Sequence, residues 1–159
     1  MIQRPQYIKQ ISEALQRSPI IAILGPRQCG KTTLARLYAK EKESEYFDLE
    51  SQPDVQRLQN AELVLGSMKG LVVLDEIQRI PSLFNTLRVL ADRPDNHARF
   101  IILGSASPDL VKNVSETLAG RIEFIHLSGF DIGETGADSW ESLWLRGGFP
   151  RSWLATSDH

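Results

Sequence analysis

The residues of this sequence best suited to chemistry are Gly25-Pro26-Arg27-Gln28-Cys29-Gly30-Lys31-Thr32, which fit the G-x-x-x-x-G-K-[ST] pattern of a phosphate-binding loop. Gly25 and Gly30 fall where the backbone turns tightly and approaches a phosphate with no Cβ in the way. Lys31 puts a point charge on the β- and γ-phosphates of a nucleotide, and the amides opening the next helix point at the anion with the helix dipole behind them. Thr32 offers a hydroxyl to Mg2+. Four fixed positions match by chance in about one chain in 200 of this size, and the flanking segments make the match more specific. Gly25, Pro26, Arg27, Gln28, Cys29, Gly30, Lys31, Thr32 and Thr33 are the expected nucleotide-binding set. The thiol of Cys29 has two readings, a small space-filler or a reactive group whose pKa an electropositive loop would lower.

A second constellation is Leu71-Val72-Val73-Leu74-Asp75-Glu76, four apolar residues that end in adjacent carboxylates. A buried strand would deliver Asp75 to the mouth of a sheet, where it shares the Mg2+ with Thr32, usually through water because Mg2+ dehydrates reluctantly. Glu76 would then stand opposite the γ-phosphate and orient the attacking water. Alone this is a weak motif, matched by many strand ends. Downstream of a phosphate loop it is the expected companion.

These groups need a scaffold that brings strand ends together. Ile20 to Leu24 is an unbroken apolar run, as expected of a parallel strand covered on both faces, and Thr33 onward reads as a helix to about Lys42. Gln6 to Arg17 carries Tyr7, Ile8, Ile11 and Leu15 at helical spacing, and Tyr7 is expected to pack in the core rather than on a base. Tyr46 to Leu49 reads as a short strand, with Asp48 and Glu50 near an end that could face the site but is better read as solvated. Ser51 to Leu65 reads as one helix opened by Ser51 and Pro53, and Pro81-Ser82 opens another that ends near Asp92. Phe100 to Leu103 is a further buried strand leading into Gly104-Ser105-Ala106-Ser107, and Ile122 to Leu127 supplies a fifth. The expectation is an α/β, three-layer P-loop NTPase with a five-stranded, mainly parallel sheet in the order 5-1-4-3-2, the additional-strand ATPase type. In such ATPases the tip of the extra strand often carries a polar residue that senses the γ-phosphate. Ser105 is the candidate and Ser107 the alternate, against a reading in which serine caps the helix opening at Pro108. Arg121, ahead of the fifth strand, is a candidate to stabilise charge on the transferring phosphoryl group in its own subunit or a neighbour's, against a reading as a solvated charge.

Composition narrows the classes. A net charge of −2, with 42% hydrophobic and 24% charged residues, describes a globular chain with no global basic excess to argue for nucleic acid. The only cysteine lies inside the loop, so no disulfide framework or Cys/His metal spacing exists, and His97, His126 and His159 are scattered. No apolar run approaches a membrane span, and a reducing, cytoplasmic setting is expected. Past Gly133 the pattern weakens. Trp140, Trp144 and Trp153 there would either finish the core or form a docking surface.

Taken together, the phosphate loop, Leu74-Asp75-Glu76-Ile77-Gln78, Gly104-Ser105, Leu118-Ala119-Gly120-Arg121 and Gly147-Gly148-Phe149-Pro150 resemble the prokaryotic AAA-type ATPases in which an N-terminal ATPase domain precedes a C-terminal domain of uncharacterised function. The resemblance implies ATP and Mg2+ as ligands and strengthens Arg121 as a residue acting at the phosphates. It divides the chain into an ATPase domain over 1–135 and, over 136–159, a helical extension or the start of a second domain. The expected catalytic set is Glu76, Lys31, Arg121 and Ser105, with Thr32 and Asp75 on the metal. The leading expectation is hydrolysis of MgATP coupled to a conformational change. The alternative is a nucleotide-gated platform that docks a partner through the tryptophans with little turnover. A GTPase is disfavoured because the sequence has no Asn-Lys-x-Asp, and a small-molecule kinase because no arginine-rich lid follows Gly104.

Overall fold

The structure, a computed structural model, describes residues 4–155. The chain folds into strands β1 (Ile20–Leu24), β2 (Ser44–Asp48), β3 (Gly70–Asp75), β4 (Ala98–Gly104) and β5 (Ile122–His126). They pair in the order β2-β3-β4-β1-β5, every pairing parallel, which is the expected order read from its other edge. Burial follows position in the sheet. Every residue of central β1 is buried, whereas edge strands β2 and β5 each have one buried residue, Phe47 and Ile125.

Alternate residues of the strands feed two separate cores. Ile21, Ile23, Val73, Ile101 and Leu103 pack beneath α1 (Pro5–Arg17) and α2 (Lys31–Ala39), with Tyr7 packed against that cluster as expected. The opposite face carries Ile20, Ala22, Leu24, Val72, Leu74, Phe100 and Ile102. They meet Leu58, just past α3 (Gln52–Arg57), and the buried faces of α4 (Ala61–Gly66), α5 (Leu83–Ala91) and α6 (Pro108–Thr117). The result is a three-layer α/β/α arrangement.

Two boundaries depart from expectation. The single helix expected over Ser51 to Leu65 is two helices, because the Asn60 side chain accepts from the Leu63 amide and caps a fresh start at Ala61. The loop helix stops at Ala39 rather than near Lys42, where the Lys42 amide and the Ser44 hydroxyl both take the Ala39 carbonyl. Beyond β5, short helices α7 (Ile132–Thr135), α8 (Trp140–Arg146) and α9 (Pro150–Trp153) complete the described chain. Among the described residues no helix is long and apolar enough to cross a membrane.

Candidate nucleotide-binding site

The parallel register places the C-terminal ends of the strands along one edge of the sheet. Leu24 lies beside Gly104 and His126, and Asp48 beside Asp75. The phosphate loop therefore leaves β1 between two neighbouring strand ends, with the paired carboxylates one strand further on. Gly30 has φ +98°, a conformation that favours glycine, as the tight turn requires. Gly25 is needed for another reason than the one expected. A Cβ there would stand 2.1 Å from the Leu127 carbonyl oxygen, so the close approach is to the chain leaving β5.

Lys31 is buried and its ammonium donates to the carbonyls of Gly25 at 3.0 Å and Pro26 at 2.8 Å, curled onto its own loop. The Thr32 hydroxyl donates to Asp75 Oδ2 at 2.7 Å, so the two expected metal ligands meet. Tyr46 from β2 donates to the same oxygen. Burial raises the Tyr46 pKa, the hydrogen bond to and charge of Asp75 raise it further, and neighbouring Arg36 opposes both. Asp75 Oδ1 accepts from the Glu76 amide at 2.9 Å. Glu76 itself has φ 56°, a left-handed conformation costing on the order of 1 kcal/mol, and such strain clusters at functional positions. Its carboxylate accepts from the Gln78 side-chain amide. Gln78 Oε1 is the one buried side-chain polar atom without a partner among the described residues.

A cavity of about 570 Å3 opens over the loop, lined by Arg27, Gln28, Gly30, Lys31, Thr32, Thr33, Glu50, Glu76, Arg79, Pro150 and Arg151. Four cationic residues face two carboxylates there, which suits a polyanion. A second, mainly apolar cavity of about 220 Å3 adjoins it, sharing Gly30, Thr33 and Pro150 and adding Leu34, Leu37, Phe130 and Leu154. Glu50 is exposed, as the solvated reading expects, and it also borders the first cavity, where it pairs with Arg79 at 2.6 Å.

The remaining expected residues divide. Ser105 is half-buried just past β4, outside the lining of the cavity. Ser107 is the cap of α6, its hydroxyl accepting from the Leu110 amide at 3.4 Å. Cys29 has no exposed surface, packs in the core beneath α1 and α2 and borders the second cavity, which supports the space-filling reading. Arg121 precedes β5 at the sheet edge opposite the loop, about 15 Å away along the strands. There it pairs with Asp92 at 2.6 and 2.8 Å, so the structure sets it apart from the phosphate loop of its own chain, contrary to the expectation of a place at those phosphates. His97 and His126 are exposed, His159 lies outside the described residues, and no cluster of three His, Cys, Asp or Glu side chains that could hold a metal occurs among the described residues.

Sequence reasoning missed three residues. Arg151 enters the cavity because the Gly147-Gly148 segment docks on the chain after β5. The Phe130 amide donates to the Gly148 carbonyl at 2.5 Å, and a Cβ on Gly148 would meet the Phe130 oxygen at 2.2 Å. Arg4 is buried, donates to the loop carbonyl of Cys29 at 3.3 Å and pairs with Glu134 at 2.6 Å. Tyr46 is the third. Each acts across a distance in sequence that no local pattern reports.

A phosphate loop on β1 and paired carboxylates ending β3, in a parallel sheet of this order, define a P-loop ATPase-type domain. A family model described as an AAA domain, AAA_14, matches residues 17–136, and the chain belongs to that family. It is 49% identical over 158 residues to the uncharacterized protein Rv2008c of Mycobacterium tuberculosis and to the uncharacterized protein Mb2031c of Mycobacterium bovis. These alignments cover 99% of this chain and 36% of each relative, so the chain spans about a third of their length. In fold it is similar to the Walker-type ATPase PABY2304 of Pyrococcus abyssi, with a TM-score of 0.69 at 16% identity over 97% of this chain and 65% of that one. It is also similar to AMPPCP-bound DnaA from Aquifex aeolicus, with a TM-score of 0.59 at 17% identity over 93% of this chain and 57% of that one.

Proposed function

We propose that the chain binds ATP with Mg2+ in the cleft above the phosphate loop and hydrolyses it. The observation that carries this reading is the convergence of Lys31, Thr32, Asp75 and Glu76 on one strand-end edge, under a cationic cavity that continues into an apolar one. The larger cavity suits a triphosphate, the smaller an adenine ring over Leu34, Leu37 and Phe130. Lys31 would leave its two loop carbonyls to meet the β- and γ-phosphates. The donor set fits Mg2+, because hard oxygens from Thr32 and Asp75 suffice when nucleotide phosphates and water complete the shell. When bound, the ion neutralises charge across the β- and γ-phosphates. Glu76, at the cavity wall, would accept a proton from water aligned with the γ-phosphate, while Arg27 and Arg151 hold phosphate oxygens. Ser105 is proposed as the sensor that the nucleotide would draw inward. Arg121, remote from its own loop, would serve the phosphates of a neighbouring subunit in an oligomer.

Coupling to a partner has support in the docked Gly147-Gly148 segment, which carries Arg151 at the cavity and follows Trp140 and Trp144, 59% and 87% exposed. Nucleotide contact with Arg151 would bear directly on that apolar surface, where a partner or a further domain would sit, while Trp153 is half-buried. The test is MgATP turnover by the wild-type chain beside Glu76→Gln. The hydrolase reading predicts a fall of at least about 100-fold in kcat with nucleotide affinity retained. Tight binding with no turnover in either protein favours the nucleotide-gated platform instead.

A further inference from the structure

Tyr46 belongs neither to the phosphate loop nor to the strand that ends in the paired carboxylates. Its hydroxyl nevertheless donates to Asp75 Oδ2, the oxygen that accepts the Thr32 hydroxyl at 2.7 Å. The pairing of Tyr46 with Val73 and of Asp48 with Asp75 puts Tyr46 two residues short of Asp75 along the strand direction and on the same face of the sheet. That offset is about 6.6 Å, a span a tyrosine side chain covers. The ring is fixed for this reach. It packs against the core beneath α1 and α2, and the Arg36 guanidinium lies over it at 4.7 Å from the centroid.

A carboxylate turns freely about its last torsion, which is broad and roughly two-fold, so an aspartate is aimed only as well as its partners aim it. For Asp75 those partners are the Glu76 amide on Oδ1 and two hydroxyls on Oδ2. Of the two hydroxyls, that of Thr32 is itself expected on the cation and moves with it. Tyr46 is the hydroxyl donor outside the ligand set. We propose that Tyr46 is a positioning residue, holding the Asp75–Thr32 pair in the orientation that receives the divalent cation of a metal–nucleotide complex. This rests on the MgATP reading and names what sets its metal dependence. Outer partners of metal ligands are commonly worth 10- to 100-fold in metal affinity, roughly.

The test compares the wild-type chain, Tyr46→Phe and Arg36→Ala by binding of a fluorescent ATP analogue, in EDTA and across a series of free Mg2+ concentrations, with melting temperatures recorded. Tyr46→Phe keeps the ring and its packing. It is expected to bind as the wild type does in EDTA and to need about tenfold more Mg2+ for half-maximal enhancement. Arg36→Ala removes the cation over the ring but leaves the hydroxyl that donates to Asp75, so it should shift the Mg2+ midpoint by clearly less than Tyr46→Phe does. A wild-type midpoint in Tyr46→Phe overturns the proposal. So does an equal loss with and without Mg2+, or a comparable shift in Arg36→Ala, since each makes the residue merely structural. Absence of any Mg2+-dependent gain in the wild type overturns the MgATP reading, and this proposal with it.

Discussion

Cys29 shows how far a residue's chemistry depends on what surrounds it. An electropositive loop is where a reactive thiolate forms, yet this side chain faces inward, fully buried beneath α1 and α2. Native protein should therefore resist an aromatic disulfide reagent and react stoichiometrically only once unfolded in guanidinium, followed by absorbance; rapid native labelling would contradict the burial. The meeting of Lys31, Thr32 and Asp75 at one edge was legible in the sequence because short local patterns fix where each stands in the fold. Arg121 was not, because its neighbours in sequence say nothing about which end of the sheet it occupies. Only the register with Ile20 shows that it stands at the far edge, bound to Asp92.

Among the elements, the central strands were readable from unbroken apolar runs, since burial on both faces leaves no room for alternation. The split between α3 and α4 was not, because one asparagine cap overrides a weak periodic pattern. The tie between the start of the chain and α7 was equally hidden. Arg4 and Glu134, 6% and 3% exposed in their side chains, join the first helix to the segment after β5 and touch the phosphate loop on the way. Burial alone would raise the Glu134 carboxyl, but hydrogen bonds from Arg4 and the Asp131 amide and the Arg4 charge hold it below its ordinary value of 4.5. The sign follows from linkage. A carboxyl lowered on folding contributes its full stability above the unfolded value and loses it as pH falls through the folded one. Glu134→Gln should cost about 3 kcal/mol at pH 7, because it strands a buried guanidinium. The difference from wild type should shrink as pH drops below about 4.5, measured by urea denaturation at stepped pH. A constant difference from pH 7 to pH 3 would contradict the assignment.

For the whole molecule, function follows from chain order. From β1 the chain runs through α2 to the far edge at β2, returns through β3 and β4, and passes over β1 to β5. That reversal opens a crevice at the carboxyl ends of the strands, where ligands of open α/β sheets bind. The phosphate loop and Glu76 lie there together, and Pro150 and Arg151, from near the end of the described chain, border the cavity beside them. Trp140 and Trp144, both exposed, lie on the short helix α8 that leads into the Gly147-Gly148 segment.

The central claim, a nucleotide site in that crevice, is tested most directly by calorimetric titration of ATP with Mg2+ into the wild-type chain and Lys31→Ala. Charge-assisted hydrogen bonds contribute about 1.5–3 kcal/mol each, so the variant should bind about 10- to 100-fold more weakly with its melting temperature little changed. Absence of heat with the wild type, or equal affinity in the two proteins, would contradict the account.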